Sequence, residues 1–151
     1  CDIAGSVRRK KSEVRDIEIV AIPKPYQTGL FEDGIAEIVN QWQKVKGELI
    51  YNKCKYTQRI LPINCDLNPL DFDIKLDLFF ATERNFGLIF AIRTGSAEYS
   101  HKVLANGWVK AGYKSIDGML TKNEMVFEVR EEKDLFTRIG IPYVEPEFRN
   151  L

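Results

Sequence analysis

An α+β fold is predicted for this chain: a mixed sheet backed by helices over residues 1–93, then a small α/β lobe over 94–151. Three patterns predict it. Residues 73–80 alternate with the period of two that sets successive side chains on opposite faces of a strand. Ile35, Ile38, Val39, Trp42 and Val45 recur at helical spacing. Beyond Thr94-Gly95-Ser96 the chain turns to shorter elements punctuated by glycine.

Taken in order, residues 1–4 read as a strand, 6–12 as a helix and 16–23 as a second strand ended by Pro23 and Pro25. The Pro-Lys-Pro-Tyr-Gln-Thr-Gly stretch at 23–29 is a loop. A helix is expected over 34–46, its apolar stripe serving the core. Strands follow near 48–62, where Lys55-Tyr56-Thr57-Gln58-Arg59-Ile60 is rich in strand formers. In the strand over 73–80, Asp73, Lys75, Asp77 and Phe79 share one face, while Ile74, Leu76, Leu78 and Phe80 form the buried one. The apolar run Phe86–Ile92 reads as a further strand. Residues 97–111 read as a helix closed by Gly112, 114–129 as a hairpin turning at Lys122-Asn123, and 131–139 as a helix ended by Gly140. The tail 141–146 is extended.

Composition excludes several classes. Hydrophobic residues make up 44% of the chain, the formal net charge is zero and the pI is about 6.8. A freestanding high-affinity DNA binder carries a basic excess, so tight non-specific DNA binding is not expected. No apolar run approaches the ~20 residues of a membrane span. Cys1, Cys54 and Cys65 show neither a zinc-ligand spacing nor a disulfide framework, which favours a reducing, intracellular setting. The chain opens in the middle of a strand and without Met, so residues upstream are expected. Charge is asymmetric locally. Arg8, Arg9, Lys10, Lys11 and Arg15 face only Glu13, whereas Asp66, Asp71, Asp73 and Asp77 face only Lys75.

The richest chemistry lies in residues 5–19. A Gly5-Ser6 turn before a helix offers a hydroxyl and backbone N–H groups to an anion. Arg8 and Arg9 bring planar guanidinium forks suited to phosphate oxygens. Asp16 and Glu18 are two apart in Asp-Ile-Glu-Ile-Val, so both carboxylates share one strand face. Two like charges so placed call for a cation between them, and oxygen ligands suit Mg²⁺. A solvated edge strand is the plain alternative for Asp16 and Glu18, as a solvated helix face is for Arg8 to Lys11.

Gly-Ser followed by Asp-x-Glu resembles the nucleotidyltransferase superfamily. The closer likeness is to the palm and thumb of X-family DNA polymerases (polymerase beta-like). Gly5-Ser6-x-Arg8-Arg9 and the eleven-residue step from Gly5 to Asp16 carry it. So do Lys75-Leu76-Asp77-Leu78-Phe79 and, seventeen residues after Asp77, Thr94-Gly95-Ser96. Glu131-Glu132-Lys133-Asp134-Leu135-Phe136, Gly140-Ile141-Pro142-Tyr143 and Glu145-Pro146 resemble the end of the thumb. The likeness runs nearly the whole chain in order. Nothing resembles the lyase or fingers domains. Glu18 stands where polymerases usually have Asp, a variation also found in aminoglycoside nucleotidyltransferases. Ile92-Arg93 replaces the family's aromatic pair at the nucleotide sugar, and one apparent extra residue precedes Gly112.

The resemblance implies metal-dependent nucleotidyl transfer from a (deoxy)nucleoside triphosphate to a DNA 3′-hydroxyl, with gap-filling repair as the family's usual role. Asp16, Glu18 and Asp77 would be the catalytic carboxylates and the ligands of two Mg²⁺ ions, with Mn²⁺ as a substitute. Gly5, Ser6, Arg9, Arg93, Thr94, Gly95 and Ser96 would bind the nucleotide, with Arg8 packing or pairing structurally. Lys102 and Lys110 are candidates for DNA phosphates. His101, Tyr99 and Trp108 read as ordinary thumb residues. The expected partners are a nucleoside triphosphate and primed or gapped DNA, with no membrane, and the chain is expected to be a monomer. Two other readings stay open: a nucleotidyltransferase acting on a small molecule, an RNA end or a protein, and a non-catalytic module that binds nucleotide or DNA.

Overall fold

The computed structural model describes residues 1–23, 34–48, 54–61 and 73–151. The loop expected at 23–29 lies outside these residues from position 24 onward, as do Cys65, Asp66 and Asp71. Among the described residues the architecture is mixed α+β, with a five-stranded and a three-stranded sheet.

The larger sheet is built from β1 (Asp2–Ile3), β2 (Asp16–Ala21), β3 (Lys44–Gly47), β4 (Tyr56–Ile60) and β5 (Lys75–Phe80), in the order β1-β2-β5-β4-β3. β2 and β5 are parallel; the other pairs are antiparallel. On one face Val39 of α2 (Gly34–Asn40) packs with Leu76, Leu78, Ile17 and Ile19. On the other, Ala4, Val20 and Phe79 meet Phe86, Ile89 and Phe90 of α3 (Phe86–Thr94). Both faces of β5 are therefore covered. The expectation of a single buried face is corrected: Asp77 is 5% exposed and Phe79 9%. The alternation of residues still sorts them between two different apolar clusters.

Three more expectations change. The helix expected over 34–46 stops at Asn40, and Lys44–Gly47 pairs with β4 as an edge strand. The β-branched Val45, read as part of the helical stripe, lies in that strand, where such residues fit well. The helix expected over 6–12 is a single turn, α1 (Gly5–Arg8). The run Phe86–Ile92 is helical, not a strand. An unbroken apolar run does not separate a buried strand from a buried helix, and α3 is covered on two sides. Gly87 permits that closeness: a Cβ there would lie 2.2 Å from the carbonyl carbon of Glu131.

Past α3 the chain is helical from α4 (Ala97–Tyr99) through a π-helical segment, Ser100–Ala105, to α5 (Asn106–Lys110). A π turn is how a helix absorbs a surplus residue. The expected single hairpin over 114–129 is a three-stranded meander, β6 (Lys114–Ile116), β7 (Met119–Lys122) and β8 (Met125–Phe127). Both two-residue turns, Asp117-Gly118 and Asn123-Glu124, have positive φ throughout. That conformation matches the twist of a hairpin, and Asp-Gly is its strong sequence signal. α6 (Glu132–Arg138) ends before Gly140 as expected, and the tail adds a 3₁₀ turn, Pro146–Phe148.

Leu104, Leu120, Leu135 and Phe136 form a third apolar core together with Leu88 and Ala91 of α3. Burying each such leucine fully is worth about 1.5–3 kcal/mol. The boundary expected near residue 94 thus falls at the end of a helix that serves two of the three clusters. No described helix is long and apolar enough to cross a membrane.

Candidate active site

The acidic face forms because β2 and β5 run parallel and in register. Glu18 lies opposite Asp77, and Asp16 opposite Lys75. Residues in register on neighbouring strands share a face, and Asp16 shares that of Glu18 by the period of two. The three expected carboxylates are therefore on one surface. Burial, and then the charges of Asp16 and Asp77, push the Glu18 carboxyl from 4.5 up to about 7, with Arg93 and Arg9 pulling against them.

Gly5 explains itself through Glu18. Its φ is +62°, and a Cβ would sit 2.6 Å from the Glu18 carboxyl carbon. Only glycine gives both that backbone and that approach. The Gly5-Ser6 turn and the acidic face are thereby joined, with the half-buried Ser6 at the start of α1.

The two arginines divide their work. Arg8 forms a fork on Glu132, 2.7 Å at both oxygens, donates to Thr94 Oγ1 at 2.6 Å and lies 3.8 Å above the Phe90 ring. It is a structural pair, as expected. Arg149, fully buried, binds the same carboxylate at 2.6 Å. Burial raises the Glu132 carboxyl, but the hydrogen bonds from Arg8 and Arg149 outweigh it and hold the group below its ordinary value. Arg9 donates through Nη1 to the Thr94 carbonyl at 2.6 Å and through Nε to Asn150 at 3.1 Å. These contacts set Arg9 beside Glu18, whose charge it feels.

Thr94, Gly95 and Ser96 act as a joint. Thr94 is fully buried with both oxygens taken by arginines. Ser96 caps α4 by accepting from the Tyr99 N–H, and its own N–H donates to the Arg149 carbonyl. Arg93 is exposed and stacks 4.0 Å from the centroid of Phe79. Glu18, Arg93 and Gly95 line a cavity of about 400 Å³ with Ser100, His101 and Trp108. His101 and Trp108 line this cavity, and Trp108 also packs against the core around Leu104. Tyr99 is core, 5% exposed. Lys102 pairs with Glu98 on the surface, and Lys110 is exposed at the end of α5.

Sequence reading missed Tyr56 and Gln58. The Tyr56 hydroxyl donates to Asp77 Oδ1 at 2.5 Å, and Gln58 Nε2 reaches both Asp77 oxygens at 3.0 and 2.9 Å. The signal was their spacing of two within a strand-forming stretch, which becomes legible once β4 is known to pair with β5. Glu132, Arg149 and Asn150 as partners of the double arginine carry no local signal at all.

Three carboxylates with no nitrogen or sulfur donor among them form a hard oxygen set of the kind Mg²⁺ and Mn²⁺ take. The repulsion felt at Glu18 is what a cation relieves. Among the described residues no three His, Cys, Asp or Glu side chains close around one ion position. Asp77 is instead held toward β4 by its two neighbours. The donor chemistry fits such a metal, and Asp77 is the candidate ligand with a competing attachment.

No protein-family model matches the chain, and no curated protein matches it.

Proposed function

We propose that this chain is a metal-dependent nucleotidyltransferase that passes a nucleotidyl group from a (deoxy)nucleoside triphosphate to a DNA 3′-hydroxyl, as a minimal X-family polymerase without lyase or fingers domains. The observation that carries the reading is the in-register pairing of Glu18 with Asp77 beside Asp16 and against Gly5. Asp16 and Glu18 would hold both Mg²⁺ ions and Asp77 the second alone. Bound there, divalent ions polarise the phosphoryl oxygens and lower the pKa of the attacking hydroxyl.

The chain's own groups supply the rest. Ser6, Arg9 and Arg93 would meet the charge that collects on the β- and γ-phosphates as the bond from the α-phosphorus to pyrophosphate breaks. Asp77 would accept the proton of the incoming 3′-hydroxyl as the new oxygen–phosphorus bond forms. Thr94, held by Arg8 and Arg9, ties the second lobe to the motif that would grip the triphosphate. With zero net charge, DNA would be gripped by local phosphate contacts, and Lys102 and Lys110 are candidates for them.

The test is incubation with Mg²⁺ or Mn²⁺, labelled dNTPs or NTPs, and a primed or gapped duplex. Template-directed primer extension is the expected result. Label passing only to other acceptors replaces the DNA end as acceptor, and nucleotide binding without transfer overturns the enzymatic reading.

A further inference from the structure

Asp77 is nearly buried, yet its carboxylate is not idle. Gln58 Nε2 reaches both of its oxygens, at 3.0 and 2.9 Å, and so fixes the plane of the group. The Tyr56 hydroxyl adds a second donor to Oδ1 at 2.5 Å, leaving Oδ2 with Gln58 alone among the described residues. The register produces this arrangement: Gln58 lies opposite Asp77 and Tyr56 opposite Phe79, so all four share the acidic face. The two donors differ in freedom. Gln58 is 6% exposed, hemmed in by the sheet. Tyr56 is half-buried, its ring stacked on Phe79 at 4.9 Å and the Lys46 ammonium 5.7 Å from the ring centroid. A stacked phenol can swing its hydroxyl away while the strand pairing stays intact.

We propose that Tyr56 and Gln58 are the positioning residues of Asp77: Gln58 fixes the carboxylate plane, and the Tyr56 hydroxyl latches Oδ1 until a divalent cation displaces it. The proposal rests on Asp77 being a cation ligand. A hydrogen bond to a carboxylate competes with a cation for the same lone pairs. Removing the hydroxyl alone therefore takes one of the two donors, the closer one, from Oδ1 while Gln58 keeps the group oriented. Removing Gln58 does the opposite, because the carboxylate then has no fixed plane.

Mn²⁺ binding to the whole chain, followed by the electron paramagnetic resonance of free Mn²⁺, tests this in the unaltered protein and in Tyr56→Phe, Gln58→Leu and Asp77→Asn. Tyr56→Phe is expected to tighten binding by about three- to tenfold, the scale of one hydrogen bond. Gln58→Leu and Asp77→Asn are expected to weaken it. Unchanged or weaker binding by Tyr56→Phe overturns the latch while the cation reading of Asp77 stands. Equal binding by the unaltered protein and Asp77→Asn overturns both. Tyr56→Phe keeps the ring that stacks on Phe79. Should it melt lower all the same, ¹³C-tyrosine spectra of the unaltered chain give a second measurement: saturating Mg²⁺ shifts the Tyr56 signals, and signals that stay in place overturn the proposal.

Discussion

Two clusters of charge lie at opposite ends of Arg8 and Arg9, and they are built on opposite rules. Around Glu132, one carboxylate meets two arginines, each through two hydrogen bonds, and Tyr143 lies 3.3 Å away. On the β2–β5 face, Asp16, Glu18 and Asp77 crowd negative charge together, and burial followed by that crowding raises the Glu18 pKa. A buried cluster whose charges are matched holds a structure in place. A cluster whose charges are not matched is waiting for something, and strongly perturbed carboxylates in a cleft are where chemistry is sought.

The sharpest way to break the contrast is to remove one charge from each cluster. Asp16→Asn or Asp77→Asn should lower nucleotidyl transfer by at least about 10²–10³-fold, the scale of losing one transition-state electrostatic contact. The melting temperature should hold, and unchanged turnover in either variant sinks the active-site assignment. Glu132→Ala should do the reverse. It strands Arg8 and Arg149 without their counter-ion, and breaking such a buried pair costs about 3–5 kcal/mol, read from urea unfolding. A loss below ~1 kcal/mol would mean that the pairing around Glu132 is not what joins the two halves.

The same contrast predicts opposite slopes of stability with pH in metal-free protein. The Glu18 carboxyl is raised from 4.5 to about 7, so the folded form holds its proton more tightly than the unfolded one. Its contribution is complete below pH 4.5 and is lost as pH rises to about 7. Glu132 is lowered, so its contribution is present above 4.5 and is lost as pH falls through the folded value. Urea midpoints should decline from the acid side toward pH 7, and Glu18→Gln should flatten that decline. A decline that persists in Glu18→Gln assigns it to another group. The smallest effect is expected at Lys102. Its surface pair with Glu98 is worth under ~1 kcal/mol, so Lys102→Ala should leave stability almost untouched and, if it meets a DNA phosphate, reduce the salt slope of DNA binding by about one.

The acidic face was legible because alternation over 16–19 and 73–80 survives burial: it assigns side chains to faces whether or not water reaches them. Gly5 was legible as a turn, but its closeness to Glu18 was not, since that depends on how α1 returns over β2. α3 was misread because seven apolar residues in a row carry no period. The helix at 34–46 was extended past Asn40 by Trp42, which does pack with Val39, but from outside the helix. The partners of Asp77, Arg8 and Arg9 lie 19 to 141 residues away in sequence, and no local pattern encodes a contact of that span.

α3 has a consequence for how the molecule comes apart. Leu88 and Ala91 belong to one apolar core, while Phe86, Ile89 and Phe90 lean on another. Neither the Val20–Phe79 face of the larger sheet nor the core under the meander can lose its packing without stripping one side of that helix, and the helix cannot melt without opening both. Heat or denaturant should therefore find a single cooperative transition, and damage in the meander should be felt as early at the carboxylates as damage beside them.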